Sequence, residues 1–518
     1  MSATLPTAPR APNAASTPSA ARSRLQELEG VIVLVGIFFA ILMGAMDALV
    51  VSTVLPTIAG DLHQVNGVTF VVSGYLVSST IAIPIFGRLS DISSRRNVFL
   101  AGLVIFIAGS MLAGLSQNLT ELIIFRSVQG FGGGGIFPVA IGMVTVMFPP
   151  EQRTRAVALL TASSGIAIVA GPLLGSYIVS VTTWRWVFYI NLPFGVFAAA
   201  IVALAVGPLR SSTGGRLDLP ATALLAGWVS TLMIALVQVA DAGWGWADPR
   251  ILALLAATIA LFAAYLVREL RIADPLIPWR ILGRRVIASA SAISGFTGIV
   301  FSALITFLSL YVGIVLGHSA ADIRDMIYFV AIPLVIGAGS AGAILNRVPY
   351  RVVVVPGLLL SGLTALALTV LTAATPLWVV SFGFLPTGGI ALPLIPVGFG
   401  LGLSLAGATV AVQNEAPPQE VGAAVGLVRF FQSLGGAIGL SLLTIYQAWR
   451  FQGLSKAATT PTAVLNALVQ SYNEVFLLLA ISVLLAFVAA FWLTGRVKVS
   501  RPAATPTVEV TAKSEPPA

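Results

Sequence analysis

Fourteen long apolar runs separated by short polar loops dictate where this chain can fold. They lie near residues 31–55, 67–86, 98–115, 120–147, 156–181, 186–207, 218–240, 250–267, 286–316, 326–346, 353–374, 389–414, 421–447 and 473–495. A helix that crosses hydrocarbon needs about 20 mostly apolar residues, and only helices or closed barrels satisfy their backbone there. The chain is 57% hydrophobic and 9% charged, whereas a soluble domain is about 25% charged. A fold in water would leave that apolar surface uncovered. The expected fold is therefore all-α, an integral membrane protein with fourteen transmembrane helices. Runs 9, 12 and 13 exceed one span, which predicts bending, tilt or an interfacial extension.

Residues 1–30 are rich in Ala, Pro, Ser and Thr, and 497–518 are polar and Pro-rich. Both read as disordered tails. The first apolar run is longer than the core of a signal peptide and is expected to stay as the first helix. Arginine falls mainly in alternate loops: Arg88, Arg95, Arg96, Arg153, Arg155, Arg268, Arg271, Arg284, Arg285, Arg347 and Arg351 on one side, against Arg185, Arg250, Arg324, Arg450 and Lys456 on the other. Cytoplasmic loops carry the excess of Lys and Arg, so both termini are expected in the cytoplasm, with the chain multi-pass in the cell membrane. The net charge of +9 is thereby assigned to topology and not to nucleic acid. There is no cysteine, and the two histidines, His63 and His318, fall in loops. Thiolate or histidine-ligated metal sites are not expected, and no cofactor is.

A weak internal repeat organises the runs. Gly87-Arg-Leu-Ser-Asp91 ahead of Arg95-Arg96 follows run 2, and Gly342-Ala-Ile-Leu-Asn346 ahead of Arg351 follows run 10. Run 2 of one unit thus corresponds to run 10 of another. This predicts two six-helix bundles in pseudo-symmetry, 31–207 and 286–496, with two inserted helices in 208–285.

Several motifs carry more specific information. Gly87-Arg-Leu-Ser-Asp91-Ile-Ser-Ser-Arg95-Arg96 resembles the loop signature between helices 2 and 3 of the major facilitator superfamily. Arg126-Ser-Val-Gln129-Gly130-Phe-Gly132 resembles that superfamily's helix 4 signature, and Gly165 with Gly171-Pro172-Leu-Leu-Gly175 its helix 5 antiporter signature. Trp184-Arg-Trp-Val-Phe-Tyr-Ile-Asn191-Leu-Pro193, and Gly44-Ala-Met-Asp47 with Leu55-Pro56, are similar to the fourteen-helix drug:proton antiporters. The resemblance runs from about residue 31 to 496. It implies export of small lipophilic compounds, cationic ones included, in exchange for protons by alternating access. The implied partners are a small-molecule substrate, protons and membrane lipid, with no nucleic acid, and the carrier is expected to act as a monomer.

Asp47 lies inside the first run. A charge near the bilayer centre costs about 2.5–3.5 kcal/mol on insertion scales, so chance does not keep it on a lipid face. A desolvated carboxyl can exchange a proton near neutral pH; the plain alternative is an Asp satisfied by backbone or water. Arg126 stays charged and shares a helix face with Gln129. The resemblance assigns this arginine to proton transfer, and a structural ion pair is the alternative. Asp91 reads as a gate whose partners change between conformers, with Arg95 and Arg96 serving topology as well; Ser94 stands where relatives often have Gly. Gly165, Gly171, Pro172 and Gly175 let helix 5 approach a neighbour and bend. The pairs Gly130/Gly134, Gly398/Gly402 and Gly435/Gly439 read as packing. In the C-terminal half, relatives often carry arginine where this chain has Gln432, while Arg429 stands three residues earlier and Glu415 ends run 12. Arg429 and Glu415 either pair, line a cavity, or snorkel at the interface.

No G-x-x-x-x-G-K-[ST] motif is present, so ATP drive is not supported. A membrane-embedded enzyme would need clustered carboxylates or a His/Ser constellation, which the runs lack. Export of another cargo by the same fold, such as a metabolite, siderophore or lipid, stays open. Single cysteines introduced into this cysteine-free chain test the topology. An impermeant thiol reagent should label position 245 from outside and the Arg95–Arg96 loop only from the cytoplasm; labelling of 245 solely from the cytoplasm overturns the fourteen-span count.

Overall fold

The computed structural model describes residues 20–493, apart from 65–66, 149, 208–216, 242–243, 273–274, 278, 346, 373–375, 378–379, 383–384, 388 and 417–420. Fourteen long helices carry the apolar runs: α1 (Ala20–Asp61), α2 (Phe70–Ile92), α3 (Arg95–Leu115), α4 (Leu119–Met147), α5 (Pro150–Val181), α6 (Asn191–Ala205), α7 (Leu219–Asp241), α8 (Pro249–Arg271), α9 (Arg285–Leu310), α10 (Ala320–Leu345), α11 (Tyr350–Ala367), α12 (Ala391–Glu415), α13 (Val421–Ser455) and α14 (Pro461–Ala490). Among the described residues thirteen are long and apolar enough to cross a membrane, and α5 adds the apolar stretch Gly165–Val181. The chain is an integral multi-pass membrane protein.

Local chemistry sets several boundaries. Asn118 caps α4 by accepting the Glu121 N–H at 2.9 Å, and Glu121 returns the favour to the Gln117 N–H at 2.8 Å. Pro249 and Pro461 open α8 and α14 behind the capping residues Asp248 and Thr460, where a missing N–H costs nothing. Four boundaries differ from the sequence reading. Helix α1 begins at Ala20, inside the stretch expected to be disordered, because Ala20 to Glu29 are mostly good helix formers that extend an existing helix; residues 1–19 and the tail 497–518 lie outside the described residues. Helix α14 begins at Pro461, twelve residues before its apolar run, and α13 continues to Ser455. The sixth run is broken, with a short helix Trp186–Tyr189 ahead of α6. The loop before α12 holds a two-stranded antiparallel hairpin, β1 (Val380–Phe382) and β2 (Leu385–Thr387).

Glycines set the close approaches, and they do so twice. Helix α4 lies on α2 so tightly that a Cβ on Gly130 would sit 2.3 Å from the Tyr75 carbonyl oxygen, and one on Gly134 2.2 Å from that of Ser79. Helix α12 lies on α10 in the same way, with Gly398 and Gly402 each 2.1 Å from the carbonyl oxygens of Val330 and Leu334. The same relation recurs between α5 and α1 and between α13 and α9. These pairs are the repeat in three dimensions, with small residues substituting for the hydrophobic drive that lipid removes.

The two sets of helices meet along α2–α13, α5–α10 and α1–α9. At the face opposite the termini, Pro56 of α1 packs on Gly313 in the π-helical turn Tyr311–Val315 that ends α9. On that side Thr69 also donates to Thr444 at 2.7 Å, and midway along the same seam Thr80 donates to Ser433 at 2.6 Å. Toward the terminal face nothing lies within 4 Å of a Cβ built on Gly87, Gly339, Gly342 or Gly426. The inserted helix α7 covers the α2–α13 seam through a cluster of Phe70, Leu236 and Ile445. Helix α8 is tied to α7 at its terminal-face end, where Arg268 Nε lies 3.0 Å from each carboxylate oxygen of Asp218. Burial pushes the Asp218 carboxyl up, but Arg268 and the Ala221 N–H together hold it below the usual carboxylate range.

Gly134→Ala should destabilise the protein by about 1–3 kcal/mol, the range for overpacking, since its Cβ meets backbone. Gly339→Ala should be neutral or slightly stabilising, because it adds helix propensity in open space. Thermal unfolding followed by size-exclusion chromatography in detergent distinguishes them. Equal melting temperatures would contradict the packing described.

Candidate functional site

One polar network stands inside the apolar bundle of α1, α4 and α6. Asp47 is at the middle of α1 and its side chain has no solvent exposure; neither has that of Arg126 on α4. The two form an ion pair through Arg126 Nη1 and Asp47 Oδ2. Arg126 Nη1 also donates to Gln129 Oε1 at 2.7 Å, one helical turn along. The other carboxylate oxygen, Asp47 Oδ1, accepts from Gln129 Nε2 at 2.9 Å and from Asn191 Nδ2 at 2.8 Å. Asn191 further donates to Ser110 Oγ at 3.0 Å, whose hydroxyl donates to the Phe188 carbonyl at 2.8 Å. The Tyr75 ring lies over the guanidinium, 4.3 Å from Cζ. Two buried atoms here, Arg126 Nη2 and Asn191 Oδ1, have no hydrogen-bond partner among the described residues.

The backbone explains why these groups converge. A Cβ on Gly109 of α3 would lie 2.4 Å from the Gln129 nitrogen, so α3 presses directly on that turn of α4. Gly171 of α5 packs against the Met46 carbonyl, and Gly175 against that of Val50, so the helix 5 motif backs the turn of α1 that carries Asp47. Pro172 is buried beside them, while Gly165 faces Val335 of α10 at 3.9 Å, across the seam between the two sets of helices. The Trp184–Pro193 motif clips α1 at two heights. Trp184 Nε1 and Arg185 Nη1 donate to Asp61 at 2.8 and 3.1 Å, and Asn191 reaches Asp47.

The residues expected to form a gate sit on the terminal face. Gly87 and Asp91 belong to the last turns of α2, not to a loop. Arg95 lies 3.6 Å from Asp91 and donates to the Gly142 carbonyl at 3.0 Å; Arg96 donates to the Ala203 carbonyl at 2.5 Å. Both arginines therefore reach late carbonyls of α4 and α6, where helix dipoles favour cations. Ser94 is the N-cap of α3.

The C-terminal candidates separate. Glu415 ends α12, its carbonyl accepting from Arg284 at 3.1 Å, and no ion pair joins it to Arg429 among the described residues. The suggested pairing is therefore absent, because Arg429 turns away from that end. Its Nη1 donates to Gln432 Oε1 at 3.2 Å and its guanidinium lies 5.7 Å from the Phe137 ring of α4.

Two features escaped sequence reading. Asn191 was visible only as part of a motif, although an amide inside an apolar run was a usable signal; Ser110 offered none. Arg450, assigned to a loop, and Glu474, at the edge of the last run, form a bidentate pair between α13 and α14. The early end expected for α13, at 447, hid it. Among the described residues no three His, Asp or Glu side chains converge to hold a metal.

The sequence profile of the Major Facilitator Superfamily matches residues 37–440. The chain is 30% identical to the multidrug transporter protein MdtP of Bacillus subtilis, over 80% of this chain and 74% of that one. It is 29% identical to the puromycin resistance protein pur8 of Streptomyces alboniger, over 89% and 90% of the two chains. A solved bacterial homologue of the human lysosomal transporter Spinster, inward-facing and unoccupied, superposes with a TM-score of 0.63 at 16% identity, over 92% of this chain and 98% of that one. Sequence, helix arrangement and relatives agree that the chain belongs to the Major Facilitator Superfamily.

Proposed function

We propose that this chain is a proton-driven exporter of small lipophilic compounds. On this reading it acts as a monomer in the cytoplasmic membrane with both termini inside. Bundles 31–207 and 286–496 rock about a central site, and 208–285 contributes the two added helices. The observation that carries the reading is the buried ion pair of Asp47 and Arg126, held by Gln129 and Asn191. Relatives named for multidrug transport, puromycin resistance, and tetracenomycin C resistance and export support the cargo class.

The charge arithmetic gives the coupling. With Asp47 ionised, the pair is neutral and tolerates full burial. Protonating Asp47 leaves Arg126 as an uncompensated buried cation, and removing one partner of such a pair costs about 3–5 kcal/mol. A conformer that opens the network to water escapes that cost. Proton occupancy thus biases the access state, and any cargo that prefers one state must reciprocally shift proton affinity. Asp91, Arg95 and Arg96 would hold the terminal-face ends of α2, α4 and α6 in one arrangement and release them in the other.

Asp47→Asn should abolish accumulation of a lipophilic dye driven by a pH gradient in everted vesicles, at wild-type amounts of protein. Asp248→Asn, at a cap where Asn serves as well as Asp, should not. Undiminished uphill transport by Asp47→Asn would move coupling to another group. Asp91→Asn should lower the turnover rate while leaving insertion and thermal stability near wild type; unchanged flux would reduce that segment to a topology signal.

A further inference from the structure

The charges of the spanning core are unequally available. Asp47 and Arg126 are committed to each other and closed from solvent. Glu474 is committed to Arg450 at the opposite face. Arg429 is not: it forms no ion pair with any described carboxylate, and its side chain is exposed. Yet it reaches across the seam between the two sets of helices, from α13 to α4. An exposed side chain that reaches from one set of helices to the other lines the space between them. Its neighbours agree. Phe137, from α4 on the other wall, faces the guanidinium. Gly426, one turn toward the terminal face, has nothing within 4 Å of a Cβ. Ser433, one turn the other way, is already bonded to Thr80 across the seam. Arg429 therefore stands where the cavity that opens to the terminal face comes to its closed end.

We propose that Arg429 is the charge that receives the cargo, and that the preferred cargo is a lipophilic organic anion: an aromatic or alkyl body carrying a carboxylate, sulfonate or ionised phenol. This rests on the exporter reading. The guanidinium fork matches a carboxylate or sulfonate with two parallel donors. Gln432 fixes the orientation of the fork, and Phe137 offers a ring face to an aromatic body. A lipophilic cation would instead meet a like charge, while the carboxylate suited to it, Asp47, has no accessible surface in this conformation. Export of an anion against an entering proton moves net positive charge inward. Export by this route therefore responds to an inside-negative potential as well as to a pH gradient, whereas exchange of one monovalent cation for one proton does not.

Three probes of one shape test this: naphthalenesulfonate, neutral naphthalenesulfonamide and naphthylmethyl-trimethylammonium. The measurement is flux in proteoliposomes under an imposed pH gradient, and separately under a potassium-diffusion potential alone. Wild type should move the sulfonate about tenfold faster than the trimethylammonium compound, the value of one charge-assisted hydrogen bond, and the potential alone should drive it. Arg429→Gln should lower the ratio of sulfonate to sulfonamide flux about tenfold, and Arg429→Lys should restore part of it. Loss of the sulfonate preference in both variants alike, with monodisperse protein, still assigns the fork to Arg429, because lysine lacks it. Transport of the sulfonamide with the cation equal to or faster than the sulfonate overturns this inference and leaves the exporter reading standing, as does an unchanged ratio in Arg429→Gln. Failure to move any of the three under either gradient overturns both.

Discussion

The ion pair between Asp47 and Arg126 is the constraint around which the N-terminal helices are arranged. Two opposite charges in the apolar middle of a bundle are tolerable only while they face each other, and here Gln129 and Asn191 donate to the carboxylate as well. That requirement fixes the rotation of α1 and α4, and Asn191 fixes the approach of α6. It also makes the pair sensitive: a single proton on Asp47 changes the net charge of a sealed site. The glycines follow from the same need. Gly109 and Gly171 bring α3 and α5 against the turns that carry Gln129 and Asp47, so the polar groups meet at hydrogen-bond distance and not through flexible reach.

The C-terminal helices repeat the packing without repeating the pair. Helices α10 and α12 touch as α2 and α4 do, and α9 and α13 as α1 and α5. There Arg429 faces the space between the halves and pairs with no described carboxylate. The two halves thereby differ, with a closed ion pair on one side and an exposed arginine on the other. The inserted helices α7 and α8 belong to neither; α7 covers the α2–α13 seam. The α5–α10 seam, with Gly165 against Val335, is left without that cover.

Much of this was legible in the sequence for a simple reason. In lipid, apolar length dictates helix number, and a charge inside an apolar run is too costly to be incidental. Asp47, Arg126 and the fourteen runs were therefore plain, and the helical spacing of Arg126 and Gln129 put both on one face. Boundaries were less so, because α1 and α14 continue beyond the hydrocarbon as ordinary polar helices. Residues 461–472 are helical without being strongly apolar, and the Arg450–Glu474 pair went unseen because α13 runs on past 447 to Ser455. Ser110 could not be found, since a serine in a membrane helix commonly satisfies itself on its own backbone. Nor could spacing alone decide between pairing and separation for Glu415 and Arg429; that depends on which way α13 turns.

The central claim is that the exchanged proton resides on Asp47. Infrared difference spectroscopy of the purified protein across a pH titration, with isotope-edited carboxyl bands, addresses it without any assumption about cargo. The account predicts a protonated-carboxyl band in wild type that vanishes as the pH rises and is missing from Asp47→Asn, while Asp248→Asn retains it. The same titrating band at full amplitude in Asp47→Asn would place the proton elsewhere and contradict the account.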